Sequence, residues 1–151
     1  MGKRWIPVLL AMAVMAGCAR SPAPDPERAP EPERQAQQSP MVGERWQLIL
    51  LGTAERWSGE QRPYIEVERD NGQLRLRGHN GCNQLNGRVQ FDDGNRIQIR
   101  DLASTRMACP DMGDAQRVDA LLENAYRYLI DHDRLVFFGS DSRVLGGFQR
   151  R

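Results

Sequence analysis

The sequence has no apolar run long enough to span a membrane. Its longest run, Trp5–Ala16, has 12 residues, whereas a transmembrane helix needs roughly 20. The run follows the basic residues Lys3 and Arg4 and ends in small residues, an arrangement typical of a secretory signal peptide that is removed after export. The sequence therefore predicts an exported protein with a signal peptide over residues 1–17.

An excess of positive charge is also missing. Residues 41–151 hold 16 basic and 16 acidic side chains. A nucleic-acid-binding protein normally carries a basic excess that neutralises phosphates, so no nucleic-acid partner is predicted. A chain of 151 residues has room for one domain with attachments, not for two hydrophobic cores.

Large apolar and aromatic side chains are absent from residues 19–40. Six of the nine prolines lie in this segment. Such a segment cannot bury enough surface to offset its ordering entropy, and in a polyproline II conformation it reaches roughly 70 Å at most. It is predicted to be a disordered tether, and the alternative is a ligand for a proline-recognising partner.

The signal segment ends in Met15–Cys18, which resembles the lipobox of bacterial lipoproteins, although Met15 stands where that pattern usually has Leu, Val or Ile. The resemblance implies that Cys18 receives a diacylglyceryl thioether and then an N-acyl chain, and two or more acyl chains hold a protein stably at a membrane. Residues 18–40 would then be the lipidated cysteine and its tether. Ala19 rather than Asp after the cysteine implies the outer membrane, facing the periplasm. The alternative is an ordinary signal peptide with a chance cysteine.

Short segments of alternating polar and apolar residues fill the domain, residues 41–151. Strands at Tyr64–Arg69 and Leu74–Arg77 are predicted to form a hairpin around the turn signal Asp70–Gly72. Further strands are predicted at Trp46–Leu51, Val89–Phe91, Ile97–Leu102, Tyr126–Ile130, Leu135–Phe138 and Val144–Phe148. From about Gly113 to Ala125 the apolar residues recur at helical spacing. The predicted fold class is α+β: a strongly curved antiparallel β-sheet or partly closed barrel with one covering helix.

Two cysteines remain once the predicted lipid attachment has used Cys18. The remaining cysteines, Cys82 and Cys109, are even in number, and in an oxidising compartment this favours a disulfide between them. The alternative is that both are free buried thiols. A structural metal site is not predicted, because two cysteines with His79 nearby lack paired C-x-x-C spacing and a fourth ligand. No cofactor is predicted either.

Two segments around these cysteines resemble the META domain of the HslJ-like family. They are Gly81–Asn83 followed by Gly87, and Leu102–Pro110, which contains a Thr-Arg-Met-Ala-Cys motif. The resemblance covers about residues 45–149, with Trp46 in the expected early position. It implies an envelope or secreted protein associated with heat induction and antibiotic tolerance, and no enzymatic activity.

The candidate ligand- or partner-binding residues lie in these two segments. Asn83, Gln84 and Asn86 belong to a predicted compact loop, residues 80–87, in which asparagines either bond to the backbone or form a recognition surface. Gln84 departs from the residue usual in the family. Arg106 either pairs with a carboxylate of the domain or presents a fixed cation to a ligand.

No catalytic residue is predicted. His79 and His132 are the only histidines, and neither has a nucleophile at a recognisable spacing. The favoured hypothesis is a non-catalytic envelope lipoprotein that supports envelope integrity or stress and antibiotic tolerance by binding another envelope component. The alternative is an inhibitor or small-ligand-binding module that uses the loop 80–87. A hydrolytic enzyme would require a pocket that brings a histidine close to a Ser or Asp.

Overall fold

The computed structural model of the protein describes residues 39–151. The predicted signal peptide, the predicted lipidation site Cys18 and the tether up to residue 38 lie outside the described residues. The elements that it contains are β1 (Arg45–Leu51), β2 (Glu55–Arg56), β3 (Tyr64–Asp70), β4 (Gln73–His79), β5 (Gln84–Asp92), β6 (Arg96–Ser104), α1 (Met112–Glu123), β7 (Arg127–Asp131), β8 (Arg134–Phe138) and β9 (Val144–Arg150). No helix in this part of the chain has the length and apolar character to cross a bilayer.

The predicted hairpin is confirmed as β3 and β4. Ile65 and Val67 are fully buried while Glu68 is exposed, so alternate side chains of β3 face the core. The turn places Asn71 at φ 51° and Gly72 at φ 79°. Positive φ at both central residues is the geometry that lets a two-residue turn follow the twist of its strands.

The nine strands form one antiparallel sheet that closes on itself. Each strand from β3 to β9 pairs with the next, β1 pairs with β3, and β1 also pairs with β9, so the pairings run round a ring. The weakest seam is between β6 and β7, which share a single residue pair, Arg96 with Arg127. Helix α1 packs against β6 and adds Val118, Leu121 and Leu122 to the core of the sheet. The predicted curved antiparallel sheet with one helix is confirmed.

The connections gather at two ends of this ring, because neighbouring strands run in opposite directions. The turn end, as we call it, holds the tight turns 71–72, 93–95 and 132–133 and both ends of the described chain. There Ser39 Oγ lies 3.0 Å from the hydroxyl oxygen of Tyr128, and Met41 is fully buried in the core. The loop end holds the longer connections 52–63, 80–83, 105–111 and 139–143. A strand of seven residues separates the two ends by roughly 20 Å.

The predicted loop 80–87 is wrong beyond Asn83, because β5 begins at Gln84. Leu85 pairs with Gly78 on one side and with Ser104 on the other, and it is only 3% exposed. Backbone partners on both flanks and a buried leucine outweigh the turn-forming composition of this segment. Strand β2 and the connection 52–63 were not predicted.

Candidate functional site

A shallow cleft of about 420 Å³ opens at the loop end between α1 and the segment that joins it to β6. The cleft is bordered by both polar and apolar side chains. Those that matter for its chemistry are Asn83, Arg106, Met107, Met112, Gln116 and Asp119. Two of the four predicted binding residues, Asn83 and Arg106, are therefore brought together here.

Asn80 fixes one wall of the cleft. Its Oδ1 accepts hydrogen bonds from the backbone N–H groups of Cys82, at 3.0 Å, and Asn83, at 2.6 Å, and thereby closes a tight turn. Its Nδ2 donates to Asp119 Oδ1 at 2.8 Å. The side chain of Asn80 thus ties the β4–β5 connection to helix α1.

Asn83 joins the two segments on which the family resemblance rests. Its side chain is buried, and its Oδ1 accepts hydrogen bonds from Thr105 Oγ1 at 3.1 Å and from the backbone N–H of Met107 at 2.7 Å. The oxygen of Asn83 is thus used inside the fold. Its Nδ2 donates to no residue within 39–151, so one end of the amide remains available at the cleft.

The segment Thr105–Cys109 is held at three alternate residues. Thr105 and Met107 are bonded to Asn83, and Cys109 forms a disulfide with Cys82 across a Cα–Cα distance of 5.8 Å. The predicted disulfide is confirmed. The backbone on both sides of Arg106 is consequently fixed.

Arg106 itself is exposed and has no partner in the described part of the chain. Among the residues that the structure describes, Arg106 therefore forms no ion pair with a carboxylate, which was one of its two predicted roles. A free guanidinium on an anchored backbone stands at the edge of the cleft. This is the geometry of the other alternative, a fixed cation facing solvent.

Asp119 supplies the carboxylate of the cleft. It accepts hydrogen bonds from Asn80 and Ser104. Burial raises the pKa of Asp119, and those two hydrogen bonds act in the opposite direction. The carboxylate is already engaged within the fold, whereas Arg106 at the edge of the same cleft is not.

Gln84 and Asn86 lie outside this cleft, on the outer face of β5. Both side chains are exposed and line a neighbouring depression that also contains Thr105. The backbone N–H of Gln84 donates to Thr105 Oγ1 at 3.1 Å, so its position is set by the same anchored segment. The four candidate residues therefore belong to two adjacent surfaces instead of one loop.

Local contacts account for both histidines. His79 Nδ1 accepts a hydrogen bond from the backbone N–H of Gly81 at 3.0 Å, its ring stacks on Tyr64, and burial lowers the pKa of the imidazole. His132 lies at the turn end, with its Nδ1 2.6 Å from Asp131 Oδ1. Neither ring lines the cleft. Among residues 39–151 no group of three or more His, Cys, Asp or Glu side chains is arranged to hold a metal ion.

Four of these six residues of the cleft were not predicted: Met107, Met112, Gln116 and Asp119. The helical pattern contained a signal for Asp119, because that residue follows Val118 and lies beside the buried face of α1. Nothing in the sequence pattern indicated that the side chain of Met107 would be exposed next to a disulfide.

Comparison with known proteins identifies the family. No curated protein matches the chain. Two solved structures share its fold: an NMR structure of a protein from Burkholderia xenovorans, with 20% identity, a TM-score of 0.61 and coverage of 87% of this chain and 99% of that one, and a crystal structure of a DUF4847 family protein from Bacteroides vulgatus ATCC 8482, with 15% identity, a TM-score of 0.52 and coverage of 75% and 96%. The META domain profile matches residues 39–151. The chain therefore belongs to the META domain family.

Proposed function

We propose that the protein is a lipid-anchored envelope lipoprotein whose META domain is non-catalytic and binds another envelope component. In this role it supports envelope integrity or tolerance of stress and antibiotics. The observation that carries the proposal is the position of the cleft, which opens at the loop end while the chain enters the domain at the turn end.

This arrangement suits a tethered binding module. Ser39, predicted as part of the tether, is buried in the domain and contacts Tyr128, so the tether would end there and attach an acyl anchor at Cys18 to the turn end. The cleft lies at the opposite end from this attachment, so the tether leaves it uncovered, and a reach of up to roughly 70 Å lets the domain present it to the periplasm. In the proposed location, the periplasmic face of the outer membrane, the cleft is presented to other envelope components.

The site has the character of a recognition surface. Hydrogen bonds and a disulfide fix the backbone around Arg106, yet its side chain has no partner among the described residues. A group that served packing would be expected to contact the core. Because the backbone is already fixed, binding has to order only the side chain of Arg106.

Site-specific crosslinking in intact cells tests the proposal. A photo-crosslinking amino acid at Gln116, on the border of the cleft, is expected to capture a reproducible protein adduct. The same amino acid at Asp93, which is exposed at the turn end, is the matched control and is expected to capture none. Absence of an adduct at Gln116, or the same adduct at both positions, would contradict the proposed binding site.

The anchor has its own measurement. Mass spectrometry of the native protein is expected to show fatty-acid mass on Cys18, and fractionation is expected to place the protein with the membranes. A product without acyl chains in the soluble fraction contradicts the anchored location.

A further inference from the structure

We infer that the cleft binds an extended peptide segment in which carboxylate side chains alternate with apolar ones. The inference rests on the proposed function and names the chemistry of the partner. It is carried by the free hydrogen-bond donors of the cleft, its exposed methionines, its fixed backbone and its shape.

Several hydrogen-bond donors around the cleft have no partner within residues 39–151. The guanidinium of Arg106, the Nδ2 of Asn83 and the side-chain amide of Gln116 donate to no residue within 39–151. Arginine presents up to five N–H groups in a planar fork that matches a carboxylate. A segment that brings acceptor oxygens, and above all carboxylates, satisfies these donors.

The carboxylate of the cleft does not compete for such a partner. Asp119 is held by Asn80 and Ser104, and no ion pair links it to Arg106. A basic segment would meet the unpaired cation of Arg106 and an acidic group that is already engaged. Arg106 is thus the charged group of the cleft whose hydrogen-bonding capacity is unused, and a carboxylate placed beside its guanidinium would satisfy those donors.

Two methionines supply the apolar part of the surface. The side chain of Met107 is 62% exposed and that of Met112 is 42% exposed, and both are among the most exposed large apolar residues in the described part of the chain. Methionine is unbranched and polarisable, so it adapts to different apolar side chains. The neighbouring donors and methionines explain why the expected partner alternates acidic and apolar residues.

The shape of the cleft favours a peptide over a small molecule. Small-ligand pockets commonly enclose about 70–90% of the ligand surface, whereas this cleft is shallow and open to solvent. An extended segment can lie in such a cleft without being enclosed. Because Asn83 and the disulfide already fix the Arg106 segment, the backbone of the cleft itself loses little ordering entropy on binding.

Fluorescence anisotropy with the full-length, detergent-solubilised protein tests the inference. The probe is a fluorescein-labelled pentapeptide of alternating aspartate and leucine. Two matched control peptides are used. In one, every aspartate is replaced by asparagine, and in the other, the aspartate–serine peptide, every leucine is replaced by serine. The aspartate–leucine peptide is expected to bind about tenfold more tightly than either, since one charged hydrogen bond or one buried leucine accounts for a factor of that size.

Two variants assign the binding to the cleft. Arg106→Gln is expected to weaken binding of the aspartate–leucine peptide about tenfold. The control Arg134→Gln removes the same charge from an exposed arginine at the turn end and is expected to leave affinity unchanged. Met107→Gln is expected to weaken binding of the aspartate–leucine peptide and to leave the affinity for the aspartate–serine peptide unchanged. The melting temperature should stay the same in all three, because these side chains are exposed.

The possible results separate the inference from the proposed function. Equal binding of the three peptides overturns the inference, because binding then depends on neither the carboxylates nor the leucines. Equal losses in Arg106→Gln and Arg134→Gln also overturn it, because the attraction is then a non-specific effect of charge. If the Gln116 adduct forms while the peptide preference is absent, the binding function stands and the partner chemistry is wrong. If the peptide preference holds while no adduct forms in cells, the cleft chemistry stands and the proposed envelope function is contradicted.

Discussion

Replacing Asn83 with alanine is expected to lower the free energy of unfolding by about 2–3 kcal/mol. The change removes an oxygen that accepts hydrogen bonds from Thr105 Oγ1 and from the backbone N–H of Met107. Each bond contributes a net stabilisation of about 1 kcal/mol, and the part-buried N–H of Met107 adds a penalty of similar size when it is left unpaired. The side chain is only 8% exposed, so water does not readily replace the lost acceptor.

Asn86→Ala provides the matched control. Asn86 lies three residues further along the same sequence segment, but its side chain is exposed and makes no hydrogen bond within residues 39–151. A surface substitution of this kind changes stability by less than about 0.5 kcal/mol. From the sequence alone the two asparagines were equivalent candidates, and the structure predicts opposite outcomes for them.

Urea unfolding and thermal unfolding of the oxidised protein, both followed by far-ultraviolet circular dichroism at pH 7, measure the two variants. The Asn83 variant is expected to melt roughly 10 °C lower, since 1 kcal/mol corresponds to about 4 °C for a domain of this size. Equal stability of the two variants, or a cost below about 0.5 kcal/mol for Asn83→Ala, would refute the structural role assigned to this amide.

Two further changes test the covalent link and the buried carboxylate. Reduction, or Cys82→Ser, is expected to cost about 3 kcal/mol for a loop of roughly 28 residues, and the double variant with Cys109→Ser should cost no more than either single one in urea unfolding. Asp119→Asn is expected to be more stable than the native protein at pH 7, because burial raises the pKa of the folded carboxyl above its ordinary value of 3.8. Stability from that group is present below pH 3.8 and is lost as the pH rises through the folded pKa, so the difference should vanish near pH 3 in urea unfolding.

Additive costs of the two cysteine substitutions would mean that the thiols act independently and are not linked. For the carboxylate, a stability difference that stays constant between pH 3 and 7 would show that Asp119→Asn acts through lost hydrogen bonds and not through charge.

Alternation of polar and apolar residues predicted most of the strands because each strand buries one face. The pairs Ile65 and Val67 in β3, and Ile97 and Ile99 in β6, show that pattern directly. The pattern failed at Gln84–Gly87, where turn-forming residues concealed a strand that has partners on both sides. It also failed at β2, because two exposed residues carry no periodicity.

The site was only partly predictable for a different reason. The two motifs identified Asn83 and Arg106, and the cysteine count indicated that the segments meet. Whether an asparagine amide faces a backbone N–H or solvent depends on three-dimensional contacts that spacing does not encode. The same holds for Asp119, whose role depends on its hydrogen bond from Asn80, 39 residues away in the sequence.

The pairing of β1 with β9 has a consequence for synthesis and folding. Trp46 pairs with Arg150, so the nascent chain must bring together residues about 100 positions apart, and such long-range pairing slows folding. Until β9 is available, β1 and β8 both expose unpaired backbone edges that can join another chain. Because β9 also carries the fully buried Phe148, a truncated protein lacking this strand is expected to aggregate.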